Sequence, residues 1–140
     1  VFHAAAVSDF SVAALYRRDS EGRMEPISGR KIPTRDGSLW AELTPTPKIL
    51  PKLRSWYPHA WIVGWKYEMD GDRADAVARG RDQLRSCATD GCVVNGLAYG
   101  PGFGFVSSTE SDIAGCAHCP DEDALFGLLG SFPRRPRRSA

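Results

Sequence analysis

Nowhere in the 140 residues does an apolar run approach the roughly 18–20 positions a membrane-spanning helix needs, which excludes a helical membrane protein. Charge of one sign is not in excess either. The 18 Lys and Arg against 17 Asp and Glu leave a net charge of +1, so net charge gives no reason to expect a nucleic acid or an anionic membrane as partner. Internal repeats are missing, and the 14 Gly and 10 Pro are too scattered for a disordered repeat. A basic-then-apolar leader is missing from the start, and the expectation is a cytoplasmic protein. What is present is ordinary for a globular chain, with 42% apolar and 25% charged residues. Residues 1–130 read as one domain, long enough to build a single core.

Both ends stand out. The chain opens on the apolar run Val1-Phe2-His3-Ala4-Ala5-Ala6-Val7. Such a run normally sits inside a sheet, and the expectation is an N-terminal segment before it, or one supplied by another chain. Residues 131–140 carry four arginines and two prolines between Pro133 and Ala140. Proline blocks helix and the like charges repel, so this is read as a solvated tail.

Between the ends, residues 1–7 read as a short buried strand closed by Ser8-Asp9. Residues 16–38 are polar and turn-rich, one long loop of a length that usually carries function. Leu39, Ala41 and Leu43 alternate with Trp40 and Glu42 as a short strand. Ile49, Leu50, Leu53 and Trp56 share a helical face over 47–56, with Pro47 in the first turn. A buried strand at 61–65 precedes a helix at 70–88, whose apolar stripe lies beside Arg81 and Arg85. A strand at 91–95, a Gly-rich loop at 96–105, a weak strand near 113–118 and a helix at 121–130 capped by Asp121 complete the chain. Apolar runs alternating with helices predict an α/β fold, a mainly parallel sheet flanked by helices. In such sheets ligands lie beyond the carboxyl ends of the strands. That rule points at Ser8-Asp9, Gly64-Trp65 and Asn95-Gly96.

Few side chains there carry chemistry unaided. Asp9 either caps a turn or holds a ribose hydroxyl or a metal. Lys31, in Gly29-Arg30-Lys31-Ile32-Pro33, is either a solvated charge or part of a basic segment that closes over phosphate. Asn95 ends a buried strand, where its amide needs a hydrogen-bond partner or a ligand. The Gly-rich run from Tyr99 to Phe105 matches neither a Walker A loop nor a GxGxxG helix opening. Cys116-Ala117-His118-Cys119 has the spacing of a zinc hook, with Cys87 and Cys92 as two further candidates. Against this, free cysteine is a common buried small residue, and a reducing compartment disfavours disulfides. No metal ligand is assigned.

The reaction comes from resemblance. Ala4-Ala5-Ala6-Val7-Ser8-Asp9-Phe10 resembles the AAVSDY signature of phosphopantothenoylcysteine synthetases, the ligase half of the bacterial coenzyme A flavoprotein. Further on, Lys31-Ile32 resembles that family's KIK loop and Leu43 through Leu50 its L…NPDIL segment. Val63 through Glu68 resembles VGFAAET, and Asp90 through Asn95 resembles DLIVAN. The motifs follow in order over residues 1–130, about the last two-thirds of the family domain. The resemblance implies a dimeric, Rossmann-like, cytoplasmic ligase. Such an enzyme activates 4′-phosphopantothenate with a nucleoside triphosphate (CTP in most bacteria) and Mg2+. An acyl-nucleotidylate forms with release of pyrophosphate, and the amine of cysteine displaces the nucleotide. By the same resemblance, Ala5, Ala6 and Asp9 contact the nucleotide. Pro47, Lys48, Ile49 and Trp65 line its pocket, Lys31 stabilises the activated intermediate, and Asn95 lies near substrate. The implied partners are a second copy and the flavoprotein decarboxylase.

Departures from the family pattern are specific. Two triphosphate-binding lysines on the helix before DLIVAN correspond to Gln83 and Cys87 here, and the acidic residue of NPDIL is Lys48. Lys66, Arg81 and Arg85 are candidate replacements for the lost charge. Two other classes therefore stay open: a diverged nucleotide-binding module without ligase activity, and a zinc-stabilised interaction domain.

Overall fold

The computed structural model describes residues 1–28, 32, 38–107 and 115–131. In chain order the elements are β1 (Phe2–His3), β2 (Phe10–Arg18), β3 (Met24–Pro26), β4 (Leu39–Pro45), α1 (Leu50–Trp56), β5 (Val63–Tyr67), α2 (Arg73–Cys87), β6 (Gly91–Asn95), β7 (Phe103–Ser107), β8 (Cys116–Cys119) and α3 (Glu122–Gly130). They divide into two compact units, one of Val1–Ala5 with Ile49 onward, the other Ala6–Lys48.

The first unit carries a sheet of order β1-β5-β6-β7-β8. β1, β5 and β6 pair in parallel, while β7 runs antiparallel to β6 and β8 antiparallel to β7. Four of the five strands therefore point the same way, and the fold is the expected α/β class with a mainly parallel sheet. Cys92-Val93-Val94 is wholly buried because helices cover both faces. On one face Ala76 and Leu84 of α2 meet Cys92, Val94 and Val106. On the other Leu125 and Leu129 of α3 meet Val63, Val93 and Phe105.

Local chemistry sets the helix limits. α2 begins with a reciprocal capping box, Asp75 N–H donating to Asp72 Oδ1 at 3.0 Å and Asp72 N–H to Asp75 Oδ2 at 3.1 Å. Asp121 caps α3 as expected, accepting from Ala124 N–H at 2.8 Å. α1 starts later than 47, and Pro51, not Pro47, occupies its first turn. At the far end of the sheet Arg54 donates to the carbonyls of Ala60 and Ala88 and pairs with Asp90 at 2.6 Å. Asp90, 2% exposed, also accepts from Ile62 N–H.

Three expectations are corrected. The strand expected over 1–7 is only Phe2–His3, the part that pairs with β5; Ala4–Val7 is exposed and rich in alanine, a poor strand former. Residues 16–38 are not one loop, since β2 ends at Arg18 and β3 lies within the span. The Gly-rich stretch 96–105 contains the start of β7. Gly104 sits there because a Cβ would collide with the Tyr99 ring and the Cys116 sulfur, so its glycine reports close packing and not a turn.

The second unit is an antiparallel sheet of order β3-β2-β4. β2 and β4 pair from Phe10↔Pro45 to Arg17↔Leu39, with a bulge between Val12 and Ala14. The extra residue matters. It returns Leu15 to the face of Phe10 and Val12, opposite Ala41, with Leu43 and Leu39 on the same side. The other face carries Tyr16, whose hydroxyl donates to Glu42 at 2.8 Å, and Arg18, stacked 5.4 Å from the Trp40 ring.

Candidate functional site

The carboxyl ends of β5 and β6 open into a cleft of about 520 Å³. Tyr67 and Asn95 stand opposite each other in the β5–β6 register, and Phe103 begins β7 beside them. These three side chains line the cleft with Leu97, the turn at 100–102, and Asp121 and Glu122 at the start of α3. The strand-end rule pointed at Asn95, which ends β6 and lines this cleft. It placed the end of β5 two residues early, at Trp65, and missed Tyr67 and Phe103. The signal for Tyr67 was its alternation with Trp65, two aromatics on one face of an extending strand.

The turn after β6 follows from backbone geometry. Gly96 has φ +113, and a Cβ there would strike the Glu68 backbone. The Glu68 N–H donates to the Asn95 carbonyl at 2.8 Å, and Ala98 N–H donates to the Glu68 carbonyl at 3.1 Å. The Glu68 side chain is 7% exposed and holds two cations, Lys66 at 3.2 Å and Arg79. Burial pushes its carboxyl up, but hydrogen bonds and charge from Arg79 and Lys66 outweigh this and hold it below the ordinary range. Lys66 is therefore already bound to a carboxylate.

Gln83 is engaged inside the fold. Its Nε2 donates to the Trp65 carbonyl at 3.2 Å, and its Oε1 accepts from the Cys92 thiol at 2.9 Å. β1 pairs with β5 only at Val63 and Gly64, so Gln83 supplies a partner to a carbonyl beyond the paired stretch.

The other expected site residues fall as follows. Trp65 is half-buried and packs on the apolar cluster beneath α3. Ile49 is the half-buried N-cap of α1. Ala5, Ala6 and Pro47 are exposed. Asp9 and Lys48 are brought together as an exposed ion pair, and the Asp9 carbonyl accepts from Thr46 N–H at 2.9 Å. Lys31 lies outside the described residues.

The cysteine hook is taken apart by strand geometry. Three residues apart on β8, Cys116 packs on the α2 side and Cys119 on the α3 side. Burial pushes the thiols of Cys116 and Cys119 up, and that of Cys92 to about 12, so these three are protonated packing groups. Among the described residues no three His, Cys, Asp or Glu side chains converge as a metal site. Asp9, the one carboxylate expected near a metal, is paired with Lys48; these residues do not form a protein cage for Mg2+.

No family model and no curated protein matches the chain. A solved structure does: the crystal structure of the DNA/pantothenate metabolism flavoprotein from Streptococcus pneumoniae, with a TM-score of 0.67 and 21% identity. The two share a fold. The likeness covers 92% of this chain and 60% of that one, so the present chain spans less than two-thirds of the flavoprotein's length.

Proposed function

We propose that the chain is the synthetase-type portion of a coenzyme A biosynthetic ligase, joining 4′-phosphopantothenate and cysteine through an acyl-nucleotidylate. The observation that carries the reading is the cleft at the ends of β5 and β6, where the VGFAAET-like and DLIVAN-like segments end side by side. The shared fold with a pantothenate-metabolism flavoprotein supports it. A nucleoside triphosphate, CTP or another, binds at this edge, with any Mg2+ carried by its phosphates. Catalysis of this kind needs positioning and neutralisation of phosphate charge more than covalent chemistry. Lys31 is the residue assigned to neutralise the intermediate. The protein acts as a homodimer, and the exposed apolar face of the second unit, with Phe10, Val12, Leu39 and Leu43, is the surface offered to the second copy.

The test follows pyrophosphate release and product formation with phosphopantothenate, cysteine and each nucleoside triphosphate. Lys31→Ala is expected to lower turnover by roughly 10²-fold or more while leaving the fold intact, and Arg30→Ala much less. Retention of more than half the turnover in Lys31→Ala removes this role. A second reading, a nucleotide-binding module without ligase activity, is favoured by Gln83, whose amide is spent on Trp65 and Cys92. Inactivity with every triphosphate, together with measurable nucleotide binding, selects it.

A further inference from the structure

The turn that walls the cleft is tied to β8 through one hydroxyl. Gly100, Pro101 and Gly102 line the cleft, and Tyr99, just before them, is 2% exposed. Arg73, in the first turn of α2, donates from Nη2 to the Tyr99 oxygen at 2.6 Å, and its guanidinium carbon lies 4.4 Å from the ring centroid. His118 Nδ1, on β8, stands 3.1 Å from the same oxygen. Cys116, two residues earlier on the same face of β8, is hydrogen-bonded to it as well. Glycines permit the approach. A Cβ at Gly104 would strike the Tyr99 ring and the Cys116 sulfur, and one at Gly102 would stand 2.8 Å from His118 Cε1.

The hydrogens of this cluster can be counted. A phenol has one hydrogen to give and two lone pairs with which to accept. Burial pushes the Tyr99 phenol up, so it keeps that hydrogen. Arg73 only donates, and the Cys116 thiol, kept protonated by burial, fills the second lone pair. The Tyr99 hydrogen is left for His118 Nδ1, which accepts it as a neutral imidazole with its own hydrogen on Nε2. An imidazolium carries hydrogen on both nitrogens. To keep the contact, Tyr99 would have to turn its hydrogen to sulfur, a weak acceptor, and the thiol would lose its place. The new charge would also join that of Arg73. Among the described residues, the charged and titratable groups acting on the cluster are Arg73 and Arg81 of α2, Tyr99 of the turn and Cys116 of β8; Gly104 of β7 lies across from His118.

We propose that this cluster is a proton-sensitive latch on the wall of the cleft. When His118 takes up a proton, its hydrogen bond with Tyr99 breaks, the exposed ring swings into water, and the turn at 100–102 loses its tie to β8. The cleft is then firm at neutral pH and looser in acid. The inference goes beyond the ligase reading, because it concerns how the wall is held and not what the cleft binds.

The experiment follows the intact chain by NMR from about pH 8 to about pH 5, the range in which imidazoles titrate. The His118 ring, the Arg73 side-chain N–H and the amides of Gly100, Gly102 and Phe103 are expected to shift with one common midpoint. Protection of those amides from solvent exchange should fall across it on the order of five-fold, the factor that one hydrogen bond of ordinary net strength supplies. In Tyr99→Phe, which removes only the hydroxyl, His118 should still titrate while Arg73 and the turn no longer follow it. In His118→Asn, whose amide oxygen accepts but takes up no proton in this range, the turn should not respond to pH. Turn amides that ignore the His118 titration in wild type, or that keep their response in either variant, overturn the proposal. None of these readouts depends on turnover, so failure of the ligase assay and failure of this latch are separate results.

Discussion

The two units solve the burial problem differently. The five-stranded sheet is covered by helices on both faces, and Ile62, Val93, Val94 and Cys92 are fully shut from water. The three-stranded sheet has no buried residue among its described positions. Its strands are well paired, and a bulge aligns its apolar side chains on one face, yet Phe10, Val12 and Leu43 are each more than half exposed. Hydrogen-bonded pairing alone does not stabilise a small sheet; an apolar face must be covered. The difference teaches that the first unit is held by its own core, while the second has its largest unrealised gain in association.

The largest test of this contrast lies in the first unit. Arg54→Met removes the guanidinium that pairs with buried Asp90 and strips donors from the carbonyls of Ala60 and Ala88. A loss of about 3–5 kcal/mol is expected from a broken buried pair, measured by urea denaturation. The exposed pairs of the second unit, Asp9–Lys48 and Glu21–Arg23, are expected to show under about 1 kcal/mol when broken. Equal losses in both units would erase the contrast.

Next in size is the apolar face. Val12→Asp or Leu43→Asp should weaken self-association by on the order of ten-fold or more, since each removes a side chain able to contribute about 1.5–3 kcal/mol on burial. Light scattering should change from about twice the subunit mass toward the monomer mass, with the unfolding of the first unit unchanged. A wild-type chain that is monomeric across the micromolar range removes the dimer from the proposal.

The smallest effect concerns Glu68 and its dependence on pH. Its folded-state pKa is depressed by Arg79 and Lys66, so its contribution is complete above the ordinary carboxylate value and is lost as pH falls through the depressed one. The stability gap between wild type and Glu68→Gln should therefore hold from neutral pH down to about 4.5 and narrow below it. Urea midpoints at neutral and acid pH check this. A gap independent of pH would show that the charge of Glu68 contributes nothing.

The helices and the central strands were legible in the sequence because their signals are local. Asp72 with Asp75 and Asp121 with Ala124 settle where α2 and α3 begin through side-chain and backbone groups three residues apart. The run Cys92-Val93-Val94 is apolar without alternation, which suits a strand covered on both faces. Asn95 was singled out by the same local logic, a polar amide at the end of such a strand, and it does end β6. The tertiary structure alone decided the rest. β2 and β3 are strands only because β4 and β2 offer partners across intervening residues, and the polar, turn-rich composition of 16–38 concealed that pairing. β7 is a strand because Gly104 must pass close to Tyr99 and Cys116, a constraint set by residues outside the segment. Tyr67, Phe103 and Glu122 meet because the β5–β6–β7 register and the start of α3 bring three separate segments to one edge. Gln83, read in sequence as the loss of a lysine, is a strut between β5 and β6. Propensity and capping act over a few residues and can be read along the chain, whereas pairing, register and convergence depend on which distant segment supplies the partner.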